Sequence, residues 1–228
     1  MPRPVRFPKY SPIDGRIALV LLLLHLPMMS ICQQRCGTVE YLSMPGKTLR
    51  IENEHKFEEW LEEKIGNERL LPSIGREAAL EYEVQVVVHV IHNGEAIGQG
   101  SNISEAQILS QIDVLNLDFN RLNVDEGNTP MEFIPVAGNM DIEFVLAQLD
   151  PDGSPTNGIN RVKGPKATWS MSDDQQLKAL SYWNANNYLN IWICNLTDFA
   201  GYTQFPVSTL PGLENSSTDP LTDGIVIW

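Results

Sequence analysis

Two adjoining stretches decide the fold: "YEVQVVVHVIHNG", residues 82–94, and "NISEAQILSQIDVLNLDFNRLN", residues 102–123. In the first, β-branched residues crowd the centre. Val84, Val86, Val88 and Val90 fall on one face, because side chains alternate along an extended chain. A run with so few polar breaks predicts a central strand. In the second, Ser104 followed by Gln107 makes a capping box at a helix start. Ile108, Ile112, Leu115, Phe119 and Leu122 then step by four and three, laying one apolar stripe along a helix. Such a stripe needs an apolar surface, and the preceding strand supplies one.

Downstream, short elements follow one another. "DIEFVLAQLD" (141–150) turns Ile142, Phe144 and Leu146 inward, and "GINRVKG" (158–164) reads as another short strand. "SDDQQLKAL" (172–180) suggests a short helix, and "YLNIWICNL" (188–196) a strand with Leu189, Ile191 and Ile193 on one face. "GYTQFP" (201–206) is extended and stopped by Pro206, and "DGIVIW" (223–228) opens a further strand. A strand, a helix and then several strands predict an α/β (α+β) domain: a mixed twisted sheet with a backing helix.

Upstream the character differs. "HKFEEWLEEKIGN" (55–67) fits a short amphipathic helix with Phe57, Trp60, Leu61 and Ile65 on its stripe, and Pro72 and Gly75 break the connector after it. The first 32 residues read as a secretory signal: Arg3, Arg6, Lys9 and Arg16 precede the apolar "IALVLLLLHLPMM". The rival is a membrane anchor, but His25 and Pro27 interrupt the run, which falls short of the roughly 20 residues a span needs. A lipoprotein cleavage site at "MSIC" would want a small residue where Ile31 stands. The expected division is therefore 1–32 signal peptide, 33–80 pro-segment and 81–228 domain.

The formal charge of −13 argues against nucleic acid as a partner and fits a soluble, acidic exported protein. Loss of four basic residues and Asp14 with the signal would take −13 to −16. No stable membrane insertion is expected of the remainder.

Catalytic motifs are scarce. Beyond the signal the histidines are His55, His89 and His92, and none forms H-E-x-x-H. His89 and His92 are an odd number apart on a strand, so they point to opposite faces and cannot chelate one ion there; a polar strand-end pair is expected. Neither G-x-S-x-G, G-x-G-x-x-G nor a P-loop occurs. Asp150 and Asp152 in "LDPDGSPTNG" have calcium-loop flavour, but their spacing reads as a turn. Of three cysteines, Cys32 falls at the cleavage zone, leaving Cys36 in "QQRCGTVEYL" (33–42) and Cys194. A disulfide between those two and an unpaired thiol at Cys36 both stand open.

From Val86 to Trp228 the chain resembles the catalytic domain of the pappalysin-type metalloproteases, metzincins related to pregnancy-associated plasma protein-A. The matching stretches, in order, are "VVVHVIH", "SEAQILSQIDVLNLDFNRLN", "IEFVLAQLDPDGSPTNGINRV", "YLNIWICNL", "GYTQFP" and "DGIVI". Thr203 departs from the alanine that the family would place there. The resemblance implies a secreted zinc endopeptidase precursor acting on peptide or protein substrates, with calcium as a possible further ion. It also implies that the H-E-x-x-H-x-x-G-x-x-H zinc ligands and general base lie beyond Trp228, so that none is expected in these residues. In metzincins an edge strand of the cleft binds substrate antiparallel, and "GYTQ" is similar to it, which makes Gly201, Tyr202, Thr203 and Gln204 the expected substrate contacts. Arg35-Cys36-Gly37-Thr38-Val39-Glu40 resembles the Arg-Cys-Gly-x-x-Asp cysteine switch of matrix metalloproteases, with Glu40 for Asp. That likeness implies a Cys36 thiolate on zinc in the zymogen, Arg35 lowering the thiol pKa and Gly37 allowing close approach to the metal. The alternative is a non-catalytic secreted binding module that keeps the sheet.

Overall fold

The computed structural model of the 228-residue chain describes residues 35–45, 51–70, 82–204, 210–211 and 219–228. The expected signal peptide, the breakers Pro72 and Gly75, and Pro206 lie outside the described residues.

Strand β1 (Tyr82–His92) is the axis of the fold, buried without a break from Val86 to Ile91. Along one edge it pairs in parallel first with β2 (Ile142–Leu146) and then with β3 (Ile159–Lys163). The ladder passes from one to the other without a gap: Ala147 N donates to Val86 O, and Val88 N donates to Gly158 O, both at 2.8 Å. Residues 148–157 are thus an excursion from an otherwise continuous edge. Within it, Asp150 Oδ1 accepts the amides of Asp152 and Ser154, so the acidic loop is a turn held by its own carboxylate. On its other edge β1 pairs in parallel with β4 (Leu189–Ile193), β4 with β6 (Ile225–Ile227), and β6 antiparallel with β5 (Gly201–Thr203). The strand order is β2-β1-β4-β6-β5, with β3 beside β1. Gly224 admits the turn into β6: its φ is +136°, and a Cβ there would sit 2.5 Å from Asn190 O.

One face of the sheet carries Val86, Val88, Val90, Phe144, Ile191 and Ile193, covered by Ile108 and Ile112 of the long helix Glu105–Phe119, with Leu115 and Phe119 against them. Ser104 caps that helix by accepting from Gln107 N. Asn116 exchanges two hydrogen bonds with Phe144 (Nδ2 to O, 2.9 Å; N to Oδ1, 2.7 Å), so a side-chain amide completes the free edge of β2. The fifth stripe residue does not join: Leu122 is 69% exposed. The helix closes in a Schellman turn at Arg121 (φ 52°), with Leu122 N on Leu117 O and Arg121 N on Asp118 O, and the chain leaves the stripe there.

The opposite face buries Ile91, Trp169, Leu177, Trp192, Cys194, Leu196, Tyr202 and Val226. His89 belongs to it. The expectation of a polar strand-end pair is wrong for His89, which is fully buried in mid-strand, stacked on Trp192 at 5.0 Å and edge-on to Trp183 at 6.0 Å. Asn190 Oδ1 also accepts from Trp183 N, so His89 Nε2–H donates to it (2.9 Å) and Nδ1 accepts from Asn160 Nδ2 (3.4 Å). His92 points to the other face, its Nδ1 accepting from Gly94 N, as the odd spacing requires.

Burial pushes the His89 pKa down to about 4, against a partial pull upward from Asn190. The unfolded chain takes up this proton near pH 6.5, and between those values it binds more protons than the native state. The contribution of His89 to stability is therefore complete above about pH 6.5 and falls as pH drops to about 4, by roughly 3 kcal/mol. Urea midpoints at pH 7, 5 and 4 should show this slope, and His89→Gln should flatten it relative to wild type; parallel profiles for the two proteins would contradict it.

The amphipathic segment forms a longer helix than expected, Ile51–Leu70, on which Phe57, Trp60 and Leu61 are half-buried and Ile65 is exposed. Phe57 and Trp60 stack at 5.7 Å. Among the described residues no helix is long and apolar enough to cross a membrane.

Candidate functional site: the outer edge of β5 and the segment docked on it

β5 ends the sheet, and an end strand presents unpaired backbone groups. Here they are taken. Ala200 N donates to Arg35 O (3.0 Å), Gly37 N donates to Gly201 O (2.8 Å), and Thr203 N donates to Thr38 Oγ1 (3.2 Å). Cys36 faces Gly201 in a parallel bridge. The segment then turns into a five-residue helix, α1 (Thr38–Leu42).

Each residue of "RCGTVE" has a place in this docking. Arg35 pairs with Glu40 at 2.7 Å and lies over the Phe199 ring, so the first and last residues of the motif close a loop around the thiol. Arg35 is not what lowers the thiol pKa. The Cys36 Sγ lies 3.3 Å from Thr38 Oγ1, and hydrogen bonding from the Thr38 side chain and backbone holds it below its ordinary value, with burial and Glu40 opposing. Gly37 is required by a close approach to protein: a Cβ would stand 2.5 Å from the Phe199 ring and 2.7 Å from Met171. Cys36 is exposed and Cys194 buried, and both are free thiols; burial pushes Cys194 up to about 12.

The four residues expected to contact substrate divide in two. Gly201 and Thr203 turn backbone groups to the outer edge, where Gly37 N and Thr38 Oγ1 meet them. Tyr202 and Gln204 are 2% and 4% exposed, and their side chains reach inward. Beneath β5 they meet a buried ionic cluster. Lys178 and Asp174, one turn apart on the short helix Asp174–Lys178, pair at 2.9 Å; Lys178 Nζ also donates to Thr222 O at 2.6 Å. Tyr202 donates its hydroxyl to Asp174 Oδ1 (3.1 Å), and Tyr41 of α1 donates to Asp174 Oδ2 (2.6 Å). Thr222 Oγ1 donates to Gln204 Oε1 at 2.9 Å. The lysine is fully buried beside the rings of Tyr41, Trp192 and Tyr202, 5.4–5.6 Å from their centroids. Burial and the Asp174 charge raise both phenol pKa values well above normal.

Sequence reasoning missed this cluster. Its one signal was Asp174 and Lys178 at i and i+4, a spacing that ordinarily marks a solvated surface pair. Among the described residues no three His, Cys, Asp or Glu side chains come together to hold a metal ion.

No protein-family model and no curated protein sequence matches the chain. Solved structures do. The chain is 48% identical to mature mirolysin of Tannerella forsythia in complex with a cleaved peptide, over 64% of this chain and 52% of that one, with a TM-score of 0.54. Mirolysin in complex with compound 9 gives the same identity and coverage and a TM-score of 0.55. A promirolysin mutant from Tannerella forsythia is 39% identical over 85% of this chain and 59% of that one, with a TM-score of 0.59. The chain thus spans 52–59% of the length of these structures. Its mixed sheet and backing helix match the metzincin-like fold of these zinc proteases.

Proposed function

We propose that the chain is the N-terminal part of a secreted, pappalysin-type zinc endopeptidase precursor, in which residues 33–80 keep the enzyme latent. The observation that carries this reading is the seat of Arg35–Thr38 on the outer edge of β5. A strand edge recognises extended peptides through main-chain hydrogen bonds. A segment of the same chain lying there keeps a substrate away. It also runs parallel to β5, whereas the metzincin resemblance implies an antiparallel substrate, so its peptide bonds are presented in the reverse sense. Likeness to mirolysin supports the reading in a second way: the covered share of this chain rises from 64% against the mature protein to 85% against the precursor.

Zinc is implied by the resemblance, but the described residues supply no metal-binding cluster, and Cys36 offers a single thiol. What these residues do is hold the thiol, exposed and with a lowered pKa, beside the strand edge where a peptide would lie. Thiolate is a strong zinc ligand, and on the open coordination position it would exclude water. In the acidic turn Asp150 Oδ1 is engaged by two backbone amides.

The complete gene product, after removal of its pro-segment, should cleave casein, and a chelator should abolish the cleavage; residues 1–228 alone should cleave nothing. Chelator-insensitive silence of the complete product would favour the non-catalytic binding module. Casein cleavage by the 228-residue chain would contradict the proposal outright.

A further inference from the structure

We propose that the hollow beneath β5 is a binding site for a phenol, and that the side chain of Tyr41 is its resident ligand. Tyr41 belongs to the docked segment, five positions after Cys36, yet it is only 1% exposed. Its ring and hydroxyl partners come from the sheet domain. Its ring stacks on Tyr202 at a centroid distance of 4.8 Å and 29° between planes. Lys178 Nζ stands 5.4 Å from the ring centroid, a cation–π distance. At the far end the hydroxyl donates to Asp174 Oδ2 at 2.6 Å and lies 3.3 Å from Gln204 Oε1.

That combination selects one chemistry. The flat slot beside Tyr202 takes a ring. The buried ammonium favours an electron-rich ring face. The carboxylate at the end demands a hydroxyl donor, and a hydrogen bond to a buried ion is among the stronger kinds. A phenyl group meets the first two demands and fails the third. A carboxylate-bearing side chain would meet Asp174 with like charge. The ligand class is therefore a para-substituted phenol, presented as a tyrosine side chain on a peptide that has just left the edge of β5.

The segment is held at two separate places: by backbone pairing around Cys36, and by the phenol. The second hold needs no metal. Its value as a latency anchor rests on the function proposed above; the phenol site itself does not.

The test uses the full 228-residue chain with Tyr41→Ala, which vacates the slot, and 4-methylphenol as the probe with toluene as its control. Saturable binding of 4-methylphenol is expected, with a raised thermal midpoint, slowed amide exchange at Gly37 and Thr203, and affinity about tenfold or more above that for toluene. Equal affinity for the two probes, or no binding by a folded variant, would overturn the site. Should Tyr41→Ala not fold, Tyr41→Phe keeps the ring and removes only the donor. Exchange at Gly37 and Thr203 should then quicken about tenfold, with Val88 and Ile91 unchanged; unaltered exchange at Gly37 would equally overturn it. Neither readout involves zinc or proteolysis, so failure of the phenol site and failure of the latency reading can be told apart.

Discussion

Cys36→Ala in the complete gene product should turn a silent precursor into one that cleaves itself between Glu52 and Glu81. If the thiolate closes the metal's open position, removing it leaves the rest of the segment docked but admits water to the ion. Activity should rise on the order of hundredfold, the factor separating a state populated at 1% from one fully populated. The neighbouring side chains grade the effect. Thr38→Val removes both the hydroxyl that holds the thiol pKa down and the acceptor for Thr203 N, so it should loosen latency measurably. Arg35→Ala should do less, because its pair with Glu40 is largely solvent-exposed and such pairs contribute little. Cys194→Ala serves as the control: that thiol is buried in the aromatic core, so the variant should lose stability without gaining activity. Equal destabilisation by Cys36→Ala and Cys194→Ala, with latency intact, would instead indicate a disulfide between them and sink the switch.

Asp174→Ala should be the most destabilising single substitution beneath β5. It removes the carboxylate 2.9 Å from a fully buried lysine and the acceptor of two tyrosine hydroxyls. Breaking a buried ion pair from one side costs about 3–5 kcal/mol, which for a chain of this length lowers Tm by on the order of 10 °C. Lys178→Met should cost less, since its methylenes are replaced and the Asp174 carboxylate keeps its two tyrosine donors. The double variant Asp174→Leu/Lys178→Met should recover the part of the loss that comes from the unpaired buried charge, but not the part that comes from the two tyrosine hydroxyls losing their carboxylate acceptor. Urea unfolding of the three proteins decides the matter; single variants within about 1 kcal/mol of wild type would show that the pair is not coupled in the way its geometry indicates.

Much of this molecule is written locally. The valine run of β1, the cap at Ser104 and the four-three stripe to Phe119 each follow from short-range periodicity, so the axis of the sheet and its backing helix were legible in the chain. The excursion between β2 and β3 was readable too, as two short strands around a turn-forming Asp-Pro-Asp-Gly. The motif from Arg35 to Glu40 marked the segment that turns out to lie along β5.

What the sequence could not tell is which side of each element meets which partner across long separations. His89 looked like a polar residue near a strand end; the stacking of Trp192 and the amide of Asn190, both about a hundred residues away, make it a neutral core residue. Leu122 fitted the stripe, and a single left-handed residue at Arg121 removed it. Tyr202 and Gln204 lie on the expected edge strand, yet strand alternation sends their side chains inward, while Gly201 and Thr203 meet the docked segment. Asp174 and Lys178 follow a surface pattern in sequence and are buried among Tyr41, 133 residues before Asp174, and Trp192, Tyr202 and Thr222. Periodicity is a property of neighbours along the chain, and it determined the elements. Burial, charge compensation and the phenol slot depend on contacts between residues far apart in sequence, and only the tertiary structure decided those.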